Sequence, residues 1–349
     1  MINLEDYGFM PKNYAAEEQG VYARVTAVHK ERYEIICEKG KRFARLKGTE
    51  YYGGNEVFPA VGDFVVIDFF DEGESRIRKT LTRKSFFSRL DPSSSGHGEQ
   101  AVAANFDYVF ILQSLNHDFN VRRLERYLTL AWQSGAIPAV VLTKADLPAD
   151  FSEQLRAAEK CASGVGVFPV SAKTGFGLEA LSEYLKPGKT TVFLGSSGVG
   201  KSSLLNALAD EELMTVNDIR EEDSRGRHTT TYRQLIMLKN GAMLIDTPGM
   251  RELGMWDVSE GLDQSFSDVE EHLGRCRFSD CRHVTEPGCA IKAAIESGEL
   301  SEERWNSYNK LKSEAKYTDD KGAYLRQKNE WHKSISKFAK TLNKKGDFI

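Results

Sequence analysis

The chain is poor in cysteine, with five in 349 residues. That is too few for a disulfide scaffold at this length and points to a reducing compartment. No apolar run approaches the ~18–20 residues that a bilayer-spanning helix needs, so no membrane association is expected. The opening Met1-Ile2-Asn3-Leu4-Glu5-Asp6-Tyr7 lacks both a basic start and an apolar core. No secretory leader is expected from it, and the expected location is cytoplasmic. A dominant charge is missing too: 47 basic residues stand against 51 acidic ones, a net charge of -4. Whole-chain charge therefore gives no sign of a nucleic-acid partner. There is no internal repeat and no long low-complexity tract.

What is present fits a folded chain of two or three domains, 40% hydrophobic and 28% charged. Its charge is unevenly spread. Between Arg24 and Glu50 there are eight Lys or Arg against four Glu, and from Lys321 onward eight against two acids. This is a weak pointer to an anionic partner touched at both ends, and from charge alone ordinary solvated faces are the favoured account. Residues 1–19 are polar and mixed, and read as a loosely held arm. From Val21 apolar and polar residues alternate, and β-rich runs follow at 33–37, 43–46 and 64–69, separated by turn residues. This pattern predicts a small five-stranded OB-like barrel.

After the turn-rich 91–98 stretch the texture changes to α/β. Buried-type strands are predicted at 108–112, 139–142, 167–170, 191–194 and 242–245. Helical spacing lies between them at Val121, Leu124 and Leu128, and at Leu178, Leu181 and Leu185. A mostly parallel sheet covered on both faces is the expected result. Beyond about residue 260 the strands give way to a Cys/His cluster and then helices. There Trp331, Ile335, Phe338 and Leu342 form an apolar stripe that reads as a packing face. The expected domains are 1–92 (arm and barrel), 93–260 (α/β domain) and 261–349 (mostly helical, with a basic C-terminal helix).

The strand at 191–194 runs into Gly195-Ser196-Ser197-Gly198-Val199-Gly200-Lys201-Ser202-Ser203, and a helical pattern follows. This is G-x-x-x-x-G-K-S in strand–loop–helix context. The glycines let successive N–H groups converge on phosphate oxygens, and the helix start adds partial positive charge. Lys201 would reach the β- and γ-phosphates and Ser202 would ligate Mg²⁺. Asp246-Thr247-Pro248-Gly249, 45 residues after Lys201, ends another predicted strand as D-x-x-G. Asp246 would hold Mg²⁺ through water, and the Gly249 N–H would sense the γ-phosphate. Between them, His228-Thr229-Thr230-Thr231 offers a threonine, here assigned as Thr230, to close over Mg²⁺. The Gln that orients water in Ras-like enzymes is replaced by Met250, so slow intrinsic turnover is expected.

Two segments speak to the base. Thr143-Lys144-Ala145-Asp146 and Ser171-Ala172-Lys173 each follow a predicted strand. They resemble the N-K-x-D and S-A-K elements by which translation-type GTPases read guanine. The Asp146 carboxylate would accept from guanine N1–H and its exocyclic amine, a donor pair that adenine lacks. Lys144 would lie along the base and the Ala172 N–H would reach O6. Thr143 replaces the usual Asn, so a weaker tie to the phosphate loop is expected. These two segments precede the phosphate loop instead of following it, which is a cyclic permutation of the common order. In the last part of the chain, Cys276, Cys281, His283 and Cys289 form a Cys₃His set with the ligand count of a closed structural Zn²⁺ site. Cys37 and Cys161 read as small apolar fillers.

Over nearly its whole length the chain resembles the circularly permuted GTPases of the RsgA/YjeQ family. The segments that carry the likeness are 143–146, 195–203, 228–231, 246–249 and the Cys/His cluster. The resemblance implies an OB-like barrel, a permuted GTPase domain and a zinc domain. It also implies a GTPase stimulated by the small (30S) ribosomal subunit that acts late in the maturation of that subunit. His228 becomes the implied water-positioning group. The barrel would meet rRNA phosphates through Arg24, Lys39, Lys41, Arg42, Arg45 and Lys47. The expected partners are GTP, GDP and the small subunit with its rRNA, and the expected state is a monomer. Two rival readings stand beside this one. One is a nucleotide-gated RNA chaperone or scaffold with incidental hydrolysis, and the other is an ATPase with a coincidental T-K-x-D.

Guanine reading by Asp146 has a direct expected outcome. Calorimetry on Asp146→Asn should show lost GDP affinity and a gain for xanthosine nucleotides; unchanged affinity and preference would sink the assignment.

Overall fold

Alternation along Val21–Val28 (β1) places Ala23 and Val25 inside a barrel with Ile35, Cys37, Ala44, Val65, Ile67 and Ile77. The other strands are β2 (Tyr33–Cys37), β3 (Gly40–Leu46), β4 (Phe64–Asp68) and β5 (Ser75–Thr80). β1–β2 and β2–β3 are antiparallel, β3–β5 is parallel, and β5–β4 and β4–β1 are antiparallel. The circuit therefore closes in the order 1-2-3-5-4-1, the five-stranded arrangement expected. The computed structural model describes residues 1–14, 20–29, 32–47, 58–90, 99–213, 233–246 and 259–316. Met1–Ser88 and Ala101–Leu253 form one compact unit, and Arg89–Gln100 with Gly254–Ile349 form a second.

The first residues are not a loose arm. Short 3₁₀ turns at Leu4–Tyr7 and Pro11–Asn13 bring Leu4 and Phe9 onto Ile36 and Phe64 on the barrel's outer surface. The Phe9 ring lies 5.3 Å from Tyr14, 5.0 Å from Tyr22 and 5.3 Å from Phe64. The arm reads as polar because its few apolar residues are scattered; their partners lie on strands remote in sequence.

β6 (Phe86–Leu90) and β7 (Glu99–Ala104) pair with each other. The α/β part is then built from β8 (Tyr108–Ser114), β9 (Ile137–Thr143), β10 (Val167–Pro169), β11 (Thr190–Gly195), β12 (Gln234–Met237) and β13 (Met243–Asp246). Their order is β10-β9-β8-β11-β13-β12, parallel except for β12. All six residues of β11 are buried, as a strand covered on both faces requires. Asn120 caps the helix Val121–Gln133, its Oδ1 accepting from the Arg123 N–H at 3.0 Å. The 178/181/185 spacing does not give a full helix. Leu178–Leu181 is a single 3₁₀ turn, bracketed by Gly177 at φ +72° and by Pro187. Leu181 and Leu185 are nevertheless buried in the core beneath β8 and β11. Cys37 and Cys161 are buried, as expected of apolar fillers.

β1 also pairs with β12, through Ala27 and Gln234, so the barrel and the parallel sheet share one run of strands. Arg24 sits at this joint, and its expected role in meeting RNA is corrected. It is 1% exposed. Its guanidinium donates to the carbonyls of Tyr7, Gly62 and Asn105, and to Thr190 Oγ1 at 2.9 Å. The Phe64 ring lies 4.9 Å away. Register is the cause: residue 24 falls on the outer face of β1, where that face meets the roots of β11 and β13. Burial lowers its pKa to about 10, opposed by Asp107, Tyr14 and Asp63, so it remains charged at neutral pH. Gly62 is required beside it. At φ +92°, a Cβ there would lie 2.1 Å from the Ala104 carbonyl oxygen.

In the second unit, short helices at Ser259–Ser265, Ser267–Glu270 and Ala290–Ser297 precede a helix over 302–316. Tyr308 packs edge-on against Phe266 at 5.6 Å and donates to Glu270 Oε1 at 2.7 Å. The apolar stripe at Trp331, Ile335, Phe338 and Leu342 and the basic C-terminal helix lie outside the described residues.

Replacing Arg24 by Met takes the guanidinium donors from the Tyr7 and Asn105 carbonyls and leaves the Gly62 carbonyl with Asn105 Nδ2 alone, at 3.3 Å. The expected cost is about 3–5 kcal/mol, read as a fall in the chemical-denaturation midpoint. A loss below ~1 kcal/mol would contradict the joint described here.

Candidate functional site

The C-terminal ends of β8, β9, β11 and β13 lie along one edge of the sheet, where open α/β sheets bind ligands. β11 ends at Gly195, and the loop from Ser196 to Gly200 enters the helix Lys201–Ala209. Gly200 caps that helix at φ +101°, a conformation that favours glycine. Lys201 Nζ donates to the Gly195 and Ser196 carbonyls at 2.9 and 2.7 Å, folded over its own loop. Ser197, Gly198, Ser202 and Ser203 complete the cradle, with Ser202 on the first turn of the helix.

This loop is held from outside. Thr143 Oγ1, at the end of β9, donates to the Val199 carbonyl at 2.5 Å. Thr143 in place of Asn still ties the phosphate loop: its hydroxyl is buried and within reach. Lys144 Nζ donates to the Gly198 carbonyl at 2.8 Å, so its stem spans from the end of β9 to the loop. Lys144 itself sits at φ +60°.

The two segments expected to read the base also converge. Ser171 Oγ donates to Asp146 Oδ1 at 2.6 Å, fixing the exposed carboxylate. The Ala145 N–H bonds the Val170 carbonyl at 3.0 Å, joining the 143–146 turn to the strand that leads into Ser171-Ala172-Lys173. Leu147 and Phe176, on the same two loops, are exposed and offer apolar walls that the sequence did not suggest. Asp246 is buried at the end of β13, the parallel neighbour of β11. The Ser202 hydroxyl and the Asp246 carboxylate are hard oxygen donors of the kind Mg²⁺ takes, and would hold it beside a bound nucleotide. His228, Thr230 and Gly249 lie outside the described residues.

In the second unit the ligand atoms of Cys276, Cys281, His283 and Cys289 lie within 4.8 Å of one another. His283 Nδ1 is 3.5 Å from Cys276 Sγ and 3.4 Å from Cys289 Sγ. Tetrahedral zinc with bonds of ~2.3 Å to sulfur and ~2.0–2.1 Å to nitrogen has S···N edges of about 3.6 Å, so the set fits the ion. The shell around it is organised too. The Ala290 N–H points at Cys276 Sγ (3.4 Å), and the His283 ring meets Trp305 edge-on at 5.3 Å. Glu286 accepts from the N–H groups of Arg282, Val284 and Thr285 at 2.9–3.0 Å, tying the loop between the ligands. Its own backbone N–H and those of Arg282 and Val284 hold its pKa down to about 2.

The sequence model of a family described as RsgA GTPase matches residues 80–256. A Listeria monocytogenes small ribosomal subunit biogenesis GTPase, RsgA 2, is 46% identical over 347 residues, covering 97% of this chain and 98% of that one. The chain belongs to the RsgA GTPase family. A Methanosarcina acetivorans protein, also described as a small ribosomal subunit biogenesis GTPase, is 41% identical over 306 residues, or 87% and 82% of the two chains. Among solved structures, YjeQ from Thermotoga maritima aligns with a TM-score of 0.62 at 30% identity, over 83% of this chain and 96% of that one. YloQ, described as a circularly permuted GTPase, aligns at 0.60 and 26%, over 87% and 97%. As an RsgA GTPase the chain is a GTP-hydrolysing enzyme. Its permutation is visible in chain order: β9 and β10, which lead into 143–146 and 171–173, precede the phosphate-loop strand β11 in sequence and lie beyond β8 on one side of it.

One support of the phosphate loop escaped the sequence reading. Asp118 Oδ2 accepts from Ser196 Oγ at 3.1 Å, and Arg123 grips both Asp118 oxygens at 3.0 and 2.9 Å. Arg123 also reaches Oε1 of Gln113, a fully buried residue of β8, at 3.1 Å. Arg123 and Ser196 hold the Asp118 carboxyl below its ordinary pKa against the opposing effect of burial. No local motif marks Asp118; the only signal available was its place just past a strand that neighbours the phosphate loop.

Asp118→Ala and Ser196→Ala should each weaken GDP binding about 5- to 30-fold by calorimetry, the worth of one such hydrogen bond at ~1–2 kcal/mol. The double variant should lose little more than either alone. Additive losses would show that the two do not act together.

Proposed function

We propose that this chain hydrolyses GTP to GDP and phosphate in the late maturation of the small (30S) ribosomal subunit, and that it binds rRNA through its barrel and zinc module. The observation that carries this reading is the joining of the guanine-type segment to the phosphate loop through Thr143 and Lys144. Relatives named as small-subunit biogenesis GTPases over nearly the full length supply the setting.

In this reading Asp146, held by Ser171, selects guanine over adenine. The loop from Gly195 to Ser203 takes the phosphates, and Lys201 exchanges its loop carbonyls for β- and γ-phosphate oxygens. Mg²⁺ supplies charge neutralisation at those oxygens when bound. His228 positions the attacking water and Thr230 closes over the γ-phosphate. With Met250 after D-x-x-G, the free protein turns over slowly and the ribosomal subunit supplies the stimulus. The Cys₃His set holds zinc as a folding element, since four protein ligands leave no open position for chemistry.

On the barrel, Lys39, Lys41, Arg42, Arg45 and Lys47 remain as groups for RNA phosphates once Arg24 is set aside. Arg45 also pairs with Glu74, and Lys47 lies 3.7 Å from Asp68. No helix among the described residues is long and apolar enough to cross a membrane. The protein works as a cytoplasmic monomer in this account.

GTP turnover measured with and without purified small subunits tests the proposal. Stimulation of at least tenfold is expected, abolished in His228→Ala while GTP binding is kept. A scaffold with incidental hydrolysis predicts that a turnover-dead, GTP-binding variant still supports subunit maturation. Equal turnover with and without subunits would refute the reading.

A further inference from the structure

The outward side of β3 and β5 carries an arrangement that phosphate binding alone does not call for. The parallel register sets Arg45 beside Arg76, with Ala44 beside Ser75 and Leu46 beside Ile77. Ala44, Ser75 and Ile77 are buried, so Arg45 and Arg76 share the solvent side, and Lys41 and Phe43 stand with Arg45 on the same side of β3. Phe43 is 39% exposed although it lies mid-strand, and Phe70, in the turn after β4, is 42% exposed. Each ring has a cation over it. The Arg32 guanidinium lies 3.8 Å from the Phe43 centroid, and Arg76 lies 5.9 Å from that of Phe70. Glu74 pairs with both Arg32 (2.7 Å) and Arg45, which pins the guanidinium over Phe43.

We propose that this face is a stacking platform on which unpaired RNA bases lie against Phe43 and Phe70, with Lys41, Arg45 and Arg76 tracking the backbone between them. The inference rests on the reading that the barrel meets RNA, and it names the form of RNA. Phosphates of a duplex need only the cations, and gain nothing from exposed rings. Splayed bases use aromatic and guanidinium planes alike, and every base has a face to offer. A guanidinium already held 3.8 Å over a ring centroid extends that surface without new ordering. β3, and the β4–β5 turn that carries Phe70, belong to the side of a five-stranded barrel suited to oligonucleotides.

The test uses the full-length protein and a fluorescein-labelled oligouridylate, read by anisotropy across a salt series. Phe43→Leu and Phe70→Leu keep apolar bulk and remove the π-face. Each should weaken binding about tenfold with the salt slope unchanged, and Phe43→Tyr should restore it. Lys41→Gln or Arg76→Gln should instead lower the slope by about 0.7. A blunt RNA duplex should compete poorly. Leucine variants that bind as well as wild type, while the Gln variants lose affinity, would overturn stacking and leave the barrel–RNA reading intact. If neither class of variant alters oligonucleotide or small-subunit binding, both fall. Leucine variants that lose the small subunit but keep oligonucleotide affinity would assign the face to a protein and overturn the proposal. GTP turnover without subunits should be unchanged in all five variants, which shows that each is folded.

Discussion

Parallel pairing is the constraint on which the nucleotide site depends. When β9, β8, β11 and β13 run side by side in one direction, their C-terminal ends must meet along one edge. Which strand comes first in the chain then has no bearing on the site. What has to be preserved is lateral contact, and here it narrows to the Thr143 hydroxyl on the Val199 carbonyl and the Lys144 ammonium on the Gly198 carbonyl. These two bonds let a segment placed some fifty residues before the phosphate loop act as though it followed it. Asp118 does the same from β8, so the loop is anchored by groups from two neighbouring strands. A loop ordered in advance has less freedom to lose when a ligand arrives.

A second constraint governs the joint with the barrel. A fully buried guanidinium is costly to desolvate and persists only where its donors are matched. Arg24 finds carbonyls from the arm, from the turn before β4 and from the turn before β8, and Asp63 and Asp107 supply nearby opposite charge. Because Thr190 and Met243 also touch it, the roots of β11 and β13 are keyed to the barrel wall at the end opposite the nucleotide. The cation serves as an internal rivet, and its chemistry as a phosphate ligand is used up inside the fold.

What could be read from the sequence follows from how local each signal is. The phosphate loop, the T-K-x-D turn and the Cys₃His spacing are patterns within about fifteen residues; in the structure Thr143 bonds the loop, Asp146 bonds Ser171, and the four Cys/His ligand atoms lie within 4.8 Å of one another. The alternation in β1 gave the barrel. Arg24 was misread because alternation says that a residue faces outward, and nothing in the local pattern says what covers that outer face. The arm was misread for the same reason, since the partners of Phe9 are Tyr22 and Phe64. The 178–185 helix failed because periodicity alone ignores how little chain lies between Gly177 and Pro187. Asp118 was invisible because its meaning comes from a neighbour nearly eighty residues away.

The pairing of Ala27 with Gln234 has a further consequence. It covers the first residue of β12, at a sheet margin whose bare amides and carbonyls are the kind of edge on which other chains can pair. The opposite margin, β10, is blunted by being three residues long and ending in Pro169. Since β1 emerges from the ribosome long before residue 234, a receptor for that last vulnerable strand is already standing when it is made. The barrel thus stands as the neighbour of that margin before the strand itself is made.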